Sequence, residues 1–139
     1  MSINEAMAFH TEAFQAVALW TGLSLLFILV LSMRISAGRR KFKVSVGDGG
    51  HAALTATTRA FGNAIEYVPV ALVALAVVAV FYSAPVVHVL GGSFLFGRVL
   101  HAWGMAQEKQ PAAGRLFGMI LTYLPFLASA GLLIFAAVG

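Results

Sequence analysis

Four stretches of this chain stay apolar for longer than any water-soluble core requires, and that limits the folds open to it. They are VALWTGLSLLFILVLSM, YVPVALVALAVVAVFY, PVVHVLGGSFLFG and GMILTYLPFLASAGLLIFAAV, and none contains Asp, Glu, Lys or Arg. About 20 apolar residues carry a helix across the hydrocarbon of a bilayer. Strands of a membrane barrel would alternate polar and apolar residues, and these do not. The reading is an all-α integral membrane protein, a bundle of four transmembrane helices in a single domain over residues 1–139. The spans fall at about 14–33, 52–82, 85–106 and 112–138. Composition agrees: 10% of the residues are charged, against roughly 25% in a soluble domain.

The net charge of +4 could suggest nucleic acid, yet five of the nine basic residues, Arg34, Arg39, Arg40, Lys41 and Lys43, share one short segment. Such a cluster beside an apolar span orients it toward the cytosol, so nucleic acid is not an expected partner. The loop SAGRRKFKVSVGDGG follows the first span, SAP separates the second and third, and QEKQPAAG separates the third and fourth. Positive charge in the first and third loops, with Lys109 and Arg115 in or beside the latter, puts both in the cytosol. Both termini are then expected on the opposite side. The start, MSINEAMAFHTEAF, lacks the basic region of a signal peptide, so the first run is expected to remain as a span. There is no cysteine, and any thiol chemistry needs a thiol brought by a substrate.

The polar residues near the spans are few and concentrated. In TRAFGNAIEYVPV, Arg59, Asn63 and Glu66 are spaced i, i+4, i+7 and share one helix face. In LFGRVLHAWG, Arg98 and His101 are spaced i, i+3. Counted from the hairpin near Ala84, Glu66 lies about 27 Å toward the cytosol, His101 about 25 Å and Arg98 about 21 Å. Arg34 closes the first helix in this reading and Arg115 opens the fourth, at the same end. Glu66 is expected to neutralise Arg59 or Arg98, which leaves a positive surplus. A crevice with unpaired arginines, an amide and an imidazole suits a small anion carrying carboxylates. The plainer alternatives are an Arg59–Glu66 pair that only joins helices, interfacial snorkelling by Arg34 and Arg115, and a core role for His101. His88 and His101 are about 20 Å apart along one helix, too far to share a haem. Tyr67, Trp103 and Tyr123 read as interfacial anchors or packing, and Gly91, Gly92 and Gly97 as a small-residue face of the third helix.

RAFGNAIEYVP resembles the second-helix signature of the MAPEG family, membrane-associated proteins in eicosanoid and glutathione metabolism. GRVLHAW resembles the corresponding stretch of the third helix in its prostaglandin synthase and glutathione transferase members. GDGG before RAFGNAIEYVPVAL is similar to the small bacterial inner-membrane branch. The resemblance spans roughly residues 12–137. It implies a homotrimer with glutathione bound between neighbouring subunits at the cytosolic side. Arg34, Arg59, Asn63, Glu66 and His101 then match glutathione ligands, with Arg98 beside them, and Arg115 lies near an arginine that stabilises the thiolate. Three positions depart from the pattern. Gly62 stands where some members have a second arginine, Met105 where prostaglandin synthase has a tyrosine, and Leu116 where a serine flanks the fourth-helix arginine.

The expected function is a glutathione-dependent transferase or peroxidase acting on lipophilic electrophiles or lipid hydroperoxides. A non-catalytic lipid-binding scaffold of the same family is the alternative. A small multidrug-type transporter is the third option, and it fits poorly. Such transporters carry their essential glutamate within the first span, and VALWTGLSLLFILVL has no acid.

Overall fold

A computed structural model describes residues 2–107 and 112–139; Lys109 lies outside the described residues. Among the described residues there are four helices, α1 (Ile3–Phe42), α2 (Ala52–Phe81), α3 (Ala84–Met105) and α4 (Ala113–Val138), and all four are long and apolar enough to cross a membrane. Among the described residues there is no strand. Large apolar side chains such as Leu25, Leu26, Val73, Leu127 and Phe135 face outward. That would be an aggregation hazard in water and is the ordinary outer surface of a bundle in lipid.

Arg34 does not close α1, contrary to the sequence reading. The helix continues through SAGRRKF to Phe42, about 12 Å further along its axis. The reason is local. RISAGRRKF contains no proline, and Arg39, Arg40 and Lys41 place positive charge at the negative end of the helix dipole. Lys43 then takes the left-handed conformation (φ 56°), and its N–H reaches back to the carbonyls of Arg39 and Arg40. At the other end Ser2 and Glu5 form a reciprocal capping box. A helix of 40 residues is about 60 Å long, twice the hydrocarbon thickness, so α1 stands out of the bilayer.

The turn from α1 to α2 is held by Asp48. Its carboxylate accepts from the Thr55 hydroxyl at 2.6 Å and from the Gly50 N–H at 3.0 Å. The Phe42 and His51 rings stack at 4.2 Å beside it. The Thr55 hydroxyl first, and then the Gly50 N–H, hold the Asp48 carboxyl below its ordinary pKa. A lowered folded-state pKa contributes stability that is full above the ordinary carboxylate value and is lost as pH falls through the lowered one. Amide exchange at Leu54 and Thr55, corrected for intrinsic rate, is therefore expected to rise as the pH drops below that range. Thr55→Val should raise exchange already at neutral pH and flatten the dependence.

Between α2 and α3 only Tyr82 and Ser83 intervene, with proline in the first turn of α3, where its missing N–H costs nothing. α2 and α4 run through Pro69 and Pro125 without ending. The most extensive packing is α3 on α4, α2 lies against α1, α3 and α4, α1 also lies against α3, and among the described residues α1 and α4 do not adjoin. The α3–α4 contact is a seam of glycines. A side chain at Gly97 would meet the Leu121 backbone carbon at 2.9 Å, and one at Gly118 would lie 2.7 Å from the His101 Cα. Gly91 and Gly92 belong to a different contact, because both lie under the Trp20 ring of α1. The three glycines read as one small-residue face thus serve two neighbours.

Candidate functional site

The periodicity of α2 places Arg59, Asn63 and Glu66 on one face, and that face opens into a crevice of about 360 Å³. His101 and Met105 of α3 and Arg115 of α4 complete its lining. A larger hollow of about 750 Å³ adjoins it toward the start of α2 and shares Arg59, Met105 and Arg115. Five of the seven residues singled out from sequence are therefore brought together by three helices. The crevice carries two guanidiniums against one carboxylate, with an amide and an imidazole between them. His101 is buried against the glycine seam, so its ring position depends on how closely α3 and α4 approach.

Arg98 and Arg34 are placed elsewhere. Arg98 is only 1% exposed, and it stands behind the crevice rather than lining it. Its Nη1 donates to Asn63 Oδ1 at 2.7 Å, and its Nη2 lies 3.5 Å from Met119 Sδ. Its guanidinium carbon sits 5.2 Å from the centre of the Tyr67 ring, within cation–π range. Its Nε is buried with no hydrogen-bond partner among the described residues. Arg34 lies on another face, with Ala56, Thr57, Ala60, Ala102 and Ala106 around it. The expected neutralisation by Glu66 is absent: among the described residues no ion pair joins Glu66 to Arg59 or Arg98. The Arg98 side chain is directed to the neutral Asn63 amide, while Glu66 is exposed.

Tyr67 is more than an interfacial anchor. Its hydroxyl is 3.4 Å from that of Tyr123, and its ring meets Phe126 edge-on with centroids 5.8 Å apart. Trp103, by contrast, is exposed. Met105 lines the crevice, whereas Leu116 is 62% exposed and does not. The sequence reading missed the role of α4's own small residues. GRLFG, with Gly114 and Gly118 four apart, is a recognisable close-packing signal. Nothing in the sequence marked Met119 as a contact of Arg98. Among the described residues no group of three or more His, Asp or Glu side chains is arranged to hold a metal ion.

A site with this electrostatic balance can do two things. It can grip the carboxylates of a small anion through paired N–H donors. It can also lower the pKa of a thiol held beside a guanidinium. The chain is also similar to known proteins. The sequence profile of the MAPEG family matches residues 17–135. Two relatives, each called inner membrane protein YecN, come from Escherichia coli strain K12 and Escherichia coli O6:H1 strain CFT073. Each is 34% identical to this chain over 88 residues, covering 63% of this chain and 67% of the relative.

Proposed function

The chain belongs to the MAPEG family, and from that premise we propose that it is a glutathione-dependent transferase or peroxidase of the inner membrane. The single observation that carries this reading is the gathering of Arg59, Asn63, Glu66, His101 and Arg115 around one crevice. Arg59 and Asn63 would hold glutathione carboxylate and amide groups, and Glu66 its ammonium. The Arg115 guanidinium would favour the thiolate over the thiol, whose ordinary pKa is about 8.5. The thiolate sulfur then forms a bond to an electrophilic carbon of a lipophilic substrate and displaces its leaving group. With a lipid hydroperoxide the sulfur attacks the terminal oxygen instead. The O–O bond breaks to leave an alcohol, and a second glutathione converts the sulfenic acid to disulfide and water. The anion enters from the cytosol and the lipophile from the bilayer, so a crevice at the boundary serves both.

The proposal includes a homotrimer with both termini on the non-cytosolic side. In that assembly Arg34, which lies outside the crevice of its own chain, would reach the site of a neighbouring subunit. Adding glutathione to the purified protein is expected to produce a thiolate band near 240 nm (about, an ordinary thiolate absorbance). Arg115→Ala should retain binding but lose turnover by about a hundredfold, the usual weight of one group that stabilises developing or resident negative charge. An intact fold with neither binding nor thiolate would refute the reading.

The non-catalytic scaffold has one observation in its favour. Met105, a thioether that can neither donate a strong hydrogen bond nor transfer a proton, occupies a crevice wall. Glutathione binding without conjugation or peroxide reduction, in wild type and Arg115→Ala alike, would favour that second reading.

A further inference from the structure

Beyond the polar crevice, a second cavity of about 230 Å³ lies between all four helices. It begins at Val70, one helical turn past Glu66, and no charged side chain lines it. Val70 in its lining is 57% exposed, so the cavity reaches the outer surface of the bundle. A partition of rings separates it from the crevice. Phe94 and Phe126 line the cavity with centroids 5.8 Å apart. Phe126 packs edge-on against Tyr67, which in turn lies under Arg98.

Two hydroxyls interrupt the apolar lining, those of Ser24 on α1 and Ser129 on α4. Hydroxyls within these helices ordinarily bond to the carbonyl one turn back, as Ser93 does to Val89 and Thr122 to Gly118. Ser24 and Ser129 are buried residues that make no side-chain hydrogen bond among the described residues, and neither oxygen is sealed from open space. An unmade hydrogen bond in an apolar environment is unfavourable for both groups.

We propose that this cavity binds one uncharged lipophile, a medium-length alkyl chain bearing a hydroxyl or carbonyl oxygen that Ser24 or Ser129 addresses. The alkyl body takes the place of empty volume. A cavity of about 150 Å³ lined by apolar side chains already accepts benzene, and this one is larger. A carboxylate is disfavoured because no cation lines the walls. A phospholipid is excluded on the same ground and by its size. The ring partition keeps the guest from the thiol, so this is a binding site distinct from the crevice, and it does not depend on the glutathione reading.

Trp20 lines the cavity and serves as the reporter once Trp103 is replaced by phenylalanine. In that background 8-bromo-octan-1-ol is expected to quench Trp20 saturably, with octan-1-ol competing. Ala74→Phe, which fills the cavity, should abolish the saturable phase and leave glutathione binding intact. The double change Ser24→Ala, Ser129→Ala should weaken the alcohol about tenfold, the weight of a lost neutral hydrogen bond, and leave 1-bromo-octane unaffected. The double variant also covers the case in which Ala74→Phe does not fold. Bromo-octanoate should bind more weakly than the alcohol. Quenching that rises linearly without saturation, or that matches brominated phosphatidylcholine in both variants, would overturn the proposal.

Discussion

Replacing Gly118 with alanine is expected to destabilise the protein by about 1–3 kcal/mol, the usual range for overpacking a tight contact. The added methyl would stand 2.7 Å from both the Gly97 carbonyl oxygen and the His101 Cα. Those are backbone atoms, so no side-chain rotation can relieve the overlap. α3 and α4 would have to move apart, which would change the spacing between His101 on α3 and Arg115 on α4 in the crevice. Glutathione affinity should therefore fall together with the thermal midpoint in detergent. Gly104→Ala should behave in the same way, because its methyl would lie 2.7 Å from the Gly114 carbonyl carbon. Gly22→Ala and Gly131→Ala are the controls. A methyl at either position would have nothing within 4 Å of it, and alanine favours the helix, so both should be neutral or slightly stabilising. Equal midpoints for Gly118→Ala and Gly131→Ala would show that the seam does not hold α3 to α4.

Arg98→Met is expected to move stability and binding in opposite directions. On insertion scales an arginine at the helix centre costs about 2.5–3.5 kcal/mol, the upper limit for one nearer the boundary, and Arg98 is almost wholly buried. What surrounds it is weak compensation: one amide oxygen, one thioether and one ring face, with Nε unpartnered among the described residues. Methionine fills similar space without a charge to desolvate. Exchanging even a buried ion pair for apolar side chains of similar volume is neutral or stabilising by about 1–4 kcal/mol in other proteins, and Arg98 has no paired anion among the described residues. The thermal midpoint should rise accordingly. Asn63 loses its fixed donor, so its amide no longer holds one orientation at the crevice. Glutathione should bind about tenfold more weakly, as for one lost hydrogen bond to a charged group. Arg98→Ala removes the charge but leaves a void, and should lower both quantities. If Arg98→Met lowered stability, the arginine would have an anionic partner beyond its own chain.

Much of the fold was legible because lipid is an undemanding but strict solvent. It requires every backbone group to be paired within its segment, so a long uncharged stretch must be a helix. The face shared by Arg59, Asn63 and Glu66 followed from helical period alone, since spacing within one helix fixes direction. The level of His101 followed from counting residues across a short hairpin, and that of Arg115 from its place at the start of the fourth helix. The end of α1 was misplaced because Arg34 looked like a boundary charge, whereas a helix ends where capping or proline ends it. Arg98 and His101 share a face in sequence, yet one lies behind the crevice and the other within it. Their difference depends on Asn63, Tyr67 and Met119, which come from two other helices.

Four helices long and apolar enough to cross a membrane, the bounds of the last three and the polar face of α2 were determined by the order of residues, because each depends on interactions within about a turn or on transfer into hydrocarbon. Which side chains meet was decided only in the tertiary structure. The glycine seam sets how closely α3 and α4 approach, and that distance selects Arg115 and His101 as neighbours of α2. Contacts with α2 and α4 turn Arg98 inward, the packing of α1 on α2 and α3 leaves Arg34 on another face, and all four helices enclose the apolar cavity. Those outcomes rest on contacts between residues far apart in the chain, and no local period encodes them.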